Sequence, residues 1–151
     1  MKRPPALFCL RFLLFSILVV LVACNNSVKD SSQNQHLSDQ VFAEQLKNRG
    51  SYDSAIIFFR KSVDYTLKNK QYTTWVESIS GMIDCFRAKG DLDQAMQLTD
   101  QSLALAVTKI DTAGNLYNGL IHKKALLYSD KRQFAEASAL FNRNIRTYLN
   151  R

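Results

Sequence analysis

The sequence has few of the residues that interrupt helices or build reactive sites. It contains only two prolines, Pro4 and Pro5, so no proline breaks a helix beyond the N-terminus. Its two histidines and three cysteines do not have the spacing of a metal site. It also lacks a glycine-rich phosphate loop and a nucleophile elbow. We therefore predict a protein without enzymatic activity, without a metal site and without another cofactor.

The N-terminal segment is basic and then apolar. An apolar run of about 11 residues over 12–22 follows three basic residues, and it is shorter than the roughly 20 residues that span a bilayer. The run ends in Leu21-Val22-Ala23-Cys24, which resembles the lipobox of bacterial lipoproteins. This resemblance implies a signal peptide over 1–23 and lipid, including palmitate, on Cys24 as the new N-terminus. The alternative is an ordinary signal peptide or an uncleaved anchor with a chance cysteine.

The segment after the apolar run is polar and precedes the fold. Residues 24–36 carry almost no apolar side chain, so we expect a flexible tether between the lipid and a helical domain over 37–151. Without its first 23 residues the chain has 17 basic and 13 acidic side chains. The lipobox resemblance places the protein in the bacterial cell envelope, lipid-anchored to the periplasmic or outer-membrane face of a membrane.

A turn signal occurs three times along the chain. Gly50 and Gly90 precede a polar residue and the start of a new apolar pattern, and Arg132 holds the glycine's place in the third copy. Glycine there predicts a left-handed residue that ends a helix. Asp91 at the following position predicts a capping box in which Gln94 reaches back.

Apolar residues follow each turn signal with the same seven offsets, in the steps of three and four that predict a helix. We expect these stripes to be buried. They are Tyr52, Ala55, Ile56, Phe59, Val63, Thr66 and Leu67, then Leu92, Ala95, Met96, Thr99, Leu103, Ala106 and Val107, then Phe134, Ala137, Ser138, Phe141, Ile145, Tyr148 and Leu149. The helices before each turn have stripes of their own: Leu37, Val41, Phe42 and Leu46, then Trp75, Ile79, Met82, Ile83 and Phe86, then Leu116, Leu120, Ile121, Ala125 and Tyr128.

Together these patterns resemble tetratricopeptide (TPR) repeats. The residues that match the repeat signature are Gly50, Tyr52, Ala55 and Phe59, then Gly90, Leu92 and Ala95, then Phe134, Ala137 and Phe141. The resemblance implies an all-α, right-handed α-solenoid of three extended hairpins, or about six helices, with units near 37–69, 72–109 and 112–150. The repeat spacing of 40 and 42 residues exceeds the usual period of about 34. An ordinary helical bundle is the alternative, although a bundle does not require turns in repeat phase.

The resemblance also implies a groove, lined by the first helix of each unit, that holds a protein or peptide partner. The candidate groove residues are Gln40, Glu44, Lys47, Ser80, Asp84, Arg87, His122, Leu126 and Ser129. The same residues could instead face solvent without a ligand. On the other side of the last helix, Leu140, Asn144 and Thr147 are more polar than their counterparts in earlier units, so we expect them to form a polar end to the array.

These features favour a membrane-anchored lipoprotein that acts as a TPR scaffold or adaptor for protein partners. No feature indicates a nucleic acid or a small-molecule substrate. The alternative function is the extracytoplasmic sensory input region of a TPR-containing bacterial signalling protein, truncated or separate from its output domain.

Overall fold

The computed structural model describes residues 38–149, and these residues form six helices without a strand. Helix α1 covers residues 38–48. The others are α2 (Tyr52–Lys68), α3 (Tyr72–Lys89), α4 (Leu92–Lys109), α5 (Asn115–Asp130) and α6 (Phe134–Leu149). The all-α prediction is therefore confirmed for this part of the chain. The predicted signal peptide, the tether and Leu37 lie outside the described residues.

The helices stack in the order of the chain. Each of α2, α3, α4 and α5 packs on the helix that follows it, and α3 also contacts α5 across the intervening α4. The first helices of neighbouring units therefore lie side by side, and the second helix of one unit rests on the first helix of the next. This is the arrangement of stacked helical hairpins.

Four of the turns between helices share one geometry. The residues Gly50, Lys70, Gly90 and Arg132 all have positive φ, between 58° and 81°. In each turn the next backbone N–H donates to the carbonyl five residues earlier, at 2.8 to 2.9 Å, as in a Schellman motif. The predicted left-handed residue at Gly90 is confirmed. Arg132 keeps the same conformation without glycine, and Lys70 adopts it in the turn between units one and two.

The predicted capping box at Asp91 is wrong. Asp91 is the N-cap residue of α4 and its carbonyl accepts the first helical hydrogen bond, from the Ala95 N–H at 3.1 Å. Its side chain, however, makes no hydrogen bond to the helix N-terminus. The carboxylate lies 3.2 Å from Lys89 Nζ instead, so an ion pair across the turn replaces the cap.

The core is centred on α3 and on the alanines where the helices cross. Ala55 and Ala95 are completely buried, and Ala137 is 4% exposed. The whole predicted stripe of α3 is buried: Trp75, Ile79, Met82, Ile83 and Phe86. In α5, Leu120, Ile121 and Ala125 are buried, and Leu116 and Tyr128 are half-buried. Small residues at the crossings let the backbones approach, and α3 is covered on both sides.

The predicted burial is wrong at both ends of the array. In α1, Val41 is 51% exposed and Phe42 is 41% exposed, whereas Ala43 is buried. In α6, the predicted stripe residues Phe134, Ile145 and Leu149 are exposed, as is Ser138. A further error is Val107, near the end of α4, which is 55% exposed. In the middle units these faces are covered by a neighbouring unit, and among the described residues no such neighbour covers α1 or α6.

A close contact between Gly81 and Phe59 predicts opposite effects for two glycine substitutions. A Cβ on Gly81 would lie 2.3 Å from Phe59 Cζ, and the Phe59 ring is completely buried and cannot move aside. We expect Gly81→Ala to lower the free energy of unfolding by about 1 to 3 kcal/mol, as overpacking does, despite the better helix propensity of alanine. Urea denaturation followed by circular dichroism measures the change.

The matched control is Gly119→Ala in α5. A Cβ at Gly119 meets nothing within 4 Å, so alanine should raise the free energy of unfolding by up to about 1 kcal/mol through helix propensity alone. If both variants were stabilised equally, the contact between α2 and α3 at Gly81 would be wrong.

Candidate functional site

Polar side chains connect the first helices of neighbouring units. Between α1 and α3, Gln40 Nε2 donates a hydrogen bond to Glu77 Oε2 at 3.1 Å. Between α3 and α5, Lys123 Nζ lies 2.7 and 2.6 Å from the two carboxylate oxygens of Asp84. The α3–α5 contact is possible because these two helices lie next to each other.

Arg87 extends this set of contacts toward the end of α5. Its Nε donates to Asp130 Oδ2 at 2.7 Å, and its Nη1 lies 3.6 Å from Asp84 Oδ1. The hydrogen bond with Asp130 raises the pKa of Arg87 above its ordinary value. We call the residues of these two groups of contacts the inter-helix row: Gln40 and Glu77, and then Asp84, Arg87, Lys123 and Asp130.

A cavity of about 460 Å³ lies beside the row. It is lined by Asp84, Arg87, Ala88, Gly90, Leu92 and Asp130. Its walls therefore offer both charge signs together with the apolar Leu92. Such a surface can bind an extended peptide through charged hydrogen bonds and one apolar contact.

The remaining predicted groove residues are more scattered. Glu44 and Lys47 form an ion pair within α1 at 2.6 Å. Ser80, Leu126 and Ser129 are half-buried, and the exposed His122 has its ring 5.4 Å from that of Phe141. The structure thus joins Asp84 and Arg87 directly, and it does not join Glu44 and Lys47 to them.

The sequence interpretation missed three members of the inter-helix row: Glu77, Lys123 and Asp130. Each contacts a predicted residue 37 to 43 positions away, which is about one repeat. A search for complementary polar residues one repeat apart on the first helices would have found them. The missed signal was therefore present in the sequence.

A second repeated contact holds neighbouring units together. Lys89 Nζ lies 2.6 Å from Asp53 Oδ1, and Lys131 Nζ lies 2.5 Å from Asp93 Oδ1. In both cases a lysine at the end of a first helix contacts an aspartate in the first turn of the preceding second helix. Lys131 lowers the pKa of Asp93. We call this repeated ion pair the Lys–Asp contact.

The open side of the last hairpin forms a second cavity, of about 610 Å³. We call it the terminal groove, and it is lined by Ser80, Asn118, Gly119, His122, Lys123, Phe141, Asn144 and Ile145. Asn144 is buried, so the predicted polar end at this position is wrong. Its Nδ2 donates to the Asn118 carbonyl at 3.0 Å, and its buried Oδ1 has no hydrogen-bond partner among the described residues.

The described residues also give three findings about reactive or membrane-spanning features. Cys85 is completely buried, and burial raises the pKa of its thiol to about 11, which opposes formation of a reactive thiolate. No group of three or more histidine, cysteine, aspartate or glutamate side chains within 38–149 could hold a metal ion. In the same range, no helix is both long enough and apolar enough to cross a membrane.

Solved TPR structures have the same fold. The TPR domain of Arabidopsis FLU matches with a TM-score of 0.65 and 13% identity, over 79% of this chain and 98% of that domain. A Podosopora anserina protein with nearly identical TPR-like repeats matches with a TM-score of 0.67 and 17% identity, over 76% of this chain and 55% of that one. A TPR-like protein from Chlorobium tepidum matches with a TM-score of 0.57 and 15% identity, over 77% and 80%. No family model and no curated protein matches the sequence. The chain therefore has the TPR fold.

Proposed function

We propose that this protein is a scaffold that binds a protein partner along the side of the array formed by α1, α3 and α5. The observation that carries the proposal is the inter-helix row, because its polar contacts join α1 to α3 and α3 to α5. The adjacent cavity adds Leu92 as an apolar contact. An extended segment with both charge signs and one apolar side chain fits this chemistry.

The ion pairs within the row also limit how strongly a partner can bind to these groups. Asp84 and Arg87 are engaged with Lys123 and Asp130 in the free protein, with side chains that are 21 to 35% exposed. A partner must exchange these ion pairs for its own, so binding gains little net Coulomb energy. We therefore expect moderate affinity, with specificity coming from the arrangement of the charges.

Site-specific photocrosslinking tests this surface. A photoreactive amino acid at Ser80, beside the row, should capture a partner in native membranes, and capture should fall when Asp84→Arg is added to place like charges beside Lys123. The control position is Ile57, which is 58% exposed on the outer side of α2. Equal capture from Ser80 and Ile57, or capture that Asp84→Arg does not change, would contradict the proposal.

We further propose that the scaffold is held at a bacterial membrane by lipid on Cys24. The support is the order of a basic start, a short apolar run, Ala23 and Cys24 in the sequence. Two or more acyl chains are needed for stable anchoring, since one chain binds a membrane only marginally. The polar residues that follow Cys24 would then separate the helices from the lipid surface.

Metabolic labelling with palmitate tests the anchor. The wild-type chain should incorporate label and fractionate with membranes, and Cys24→Ala should lose the label. Cys85→Ala is the matched control, because it removes the other cysteine outside the leader and should leave labelling unchanged. A mature N-terminus at any residue other than Cys24 would contradict the anchor without affecting the proposed binding surface.

A further inference from the structure

Within residues 38–149, the two ends of the array expose surfaces whose equivalents are covered between interior units. At the first end, α1 exposes Ser38, Val41 and Phe42. At the last end, the terminal groove exposes Ile145 and contains the unpartnered Oδ1 of Asn144. The contacts between interior units show how two such surfaces fit together.

The junction between units one and two provides the template. There, α3 packs on α2 with Gly81 against the Phe59 ring. One turn away, Ser78 Oγ lies 2.9 Å from Ser62 Oγ in a buried hydrogen bond. The first helix α3 therefore presents a hydroxyl and, three residues later, a glycine whose backbone meets the aromatic ring of the preceding second helix.

The repeat register transfers this junction to the two open ends. Phe141, Asn144 and Ile145 of the terminal groove are the equivalents of Phe59, Ser62 and Val63 in α2. In α1, Ser38 and Val41 are the equivalents of Ser78 and Gly81 in α3. A second copy that places α1 in the terminal groove would thus bring Ser38 beside Asn144 and Val41 beside Phe141. It would also cover the exposed Ile145 of one copy and the exposed Val41 of the other.

We propose that copies of this protein associate head to tail, with α1 of one copy seated in the terminal groove of the next. The Lys–Asp contact supports this register. Arg49 is the equivalent of Lys89 and Lys131, and Glu136 in the first turn of α6 follows Ala135, the equivalent of Asp53 and Asp93. Neither Arg49 nor Glu136 forms an ion pair within residues 38–149, and the proposed junction would bring these opposite charges near each other.

The inter-helix row also fits at the junction. Leu126 of one copy is the equivalent of Asp84, and Val41 of the next copy is the equivalent of Lys123. The register places these two residues against each other, so an apolar pair replaces the ion pair. In the same way, Ser129 of one copy (the equivalent of Arg87) would lie near Asn48 of the next copy (the equivalent of Asp130). A neutral polar pair therefore replaces a charged one. No like charges meet at these positions. Val41 is larger than Gly81, so α1 must sit farther from the half-buried Phe141 than α3 sits from Phe59, and we expect a weak, reversible association.

This geometry has a consequence that a symmetric dimer does not share. Each copy uses one surface to bind the copy before it and another to bind the copy after it, so the assembly grows into a chain or closes into a ring. Blocking either surface on every copy stops association. Mixing copies blocked at opposite surfaces leaves one usable junction, and the assembly stops at two.

Sedimentation equilibrium of the full chain in a density-matched detergent tests the proposal. The variants are Val41→Asp and Ile145→Asp, both at half-exposed positions, and circular dichroism melting checks that each remains folded. The average mass of the wild type should rise with concentration beyond that of two chains. Each variant alone should bind at least about tenfold more weakly, because a charge would be buried at its junction. An equimolar mixture should reach the mass of two chains and no more.

Several results would overturn the proposal. A wild type with the mass of one chain up to about 1 mM would do so, since even weak interfaces associate there. A Val41→Asp variant that associates like the wild type would instead show an interface formed by α6 alone. Charge reversal provides a second test that does not touch apolar contacts. Arg49→Glu should weaken association roughly fivefold, and adding Glu136→Arg to the same chain should restore it; no rescue would exclude this register.

Discussion

Ala95→Trp is expected to lower the free energy of unfolding by at least about 3 kcal/mol, the upper end of overpacking effects. Ala95 is completely buried where α4 crosses its neighbours. An indole there forces the backbones apart, and a close-packed interior cannot absorb that volume by small adjustments. For a domain of this size the melting temperature should fall by roughly 10 °C or more. Thermal denaturation followed by circular dichroism at 222 nm measures it.

The matched control is Gln97→Trp, two residues further along the same helix at an exposed position. This substitution adds the same side chain outside the core, and its effect should stay within about 0.5 kcal/mol. A melting curve for Ala95→Trp that matches the Gln97→Trp curve would show that Ala95 does not lie at a helix crossing.

Trp75→Ala is expected to cost about 3 to 5 kcal/mol, because it removes the largest side chain of the core and leaves a cavity. Trp75 is 1% exposed and lies on α3, which is covered by α2 on one side and by α4 and α5 on the other. Chemical denaturation with urea gives the free energy, and the m-value shows whether the unfolding remains a single transition. Trp75→Phe keeps most of the volume and should cost substantially less.

Phe134→Ala distinguishes the structure from the sequence pattern. Phe134 belongs to the predicted apolar stripe, yet it is 65% exposed. Its truncation should change the free energy of unfolding by no more than about 0.5 kcal/mol in the monomer. A loss comparable to that of Trp75→Ala would mean that the in-phase stripe, rather than the structure, describes the burial of α6 correctly.

The turns were predictable from the sequence because their chemistry is local. Glycine at positions 50 and 90 favours positive φ at the end of a helix, and the structure has that conformation at both. Lys70 adopts it without any such signal, because the neighbouring helices and the hydrogen bond from Gln71 to Thr66 determine the turn. A local rule identifies a turn that has the preferred residue and misses one that tertiary contacts impose.

Burial at the ends was not predictable because it depends on a neighbour. In the middle of the array, where another unit covers it, the seven-residue stripe is buried or half-buried except at Val107. The same residue types in α6, such as Ile145, are exposed because no described helix lies against them. Periodicity indicates which residues share a face, and only the structure shows whether that face is covered.

The candidate site was predictable in part. The repeat alignment predicted that Asp84 and Arg87 lie on the groove side of the first helices. Their partners Lys123 and Asp130 could have been predicted only by comparing residues one repeat apart. The unpartnered Oδ1 of Asn144 could not be found from the sequence, since asparagine there was compatible with an exposed, solvated position. Identifying it required the coordinates of the hydrogen bond to Asn118.

The Lys–Asp contact makes the length of this protein open to evolutionary change. The same two residue types join units one and two and units two and three. Duplication of residues 91–132 in the gene would insert a fourth unit whose new boundary reuses this ion pair and leaves both termini chemically unaltered. A lineage could therefore acquire longer or shorter versions of the array in single genetic steps, without redesigning any boundary between hairpins.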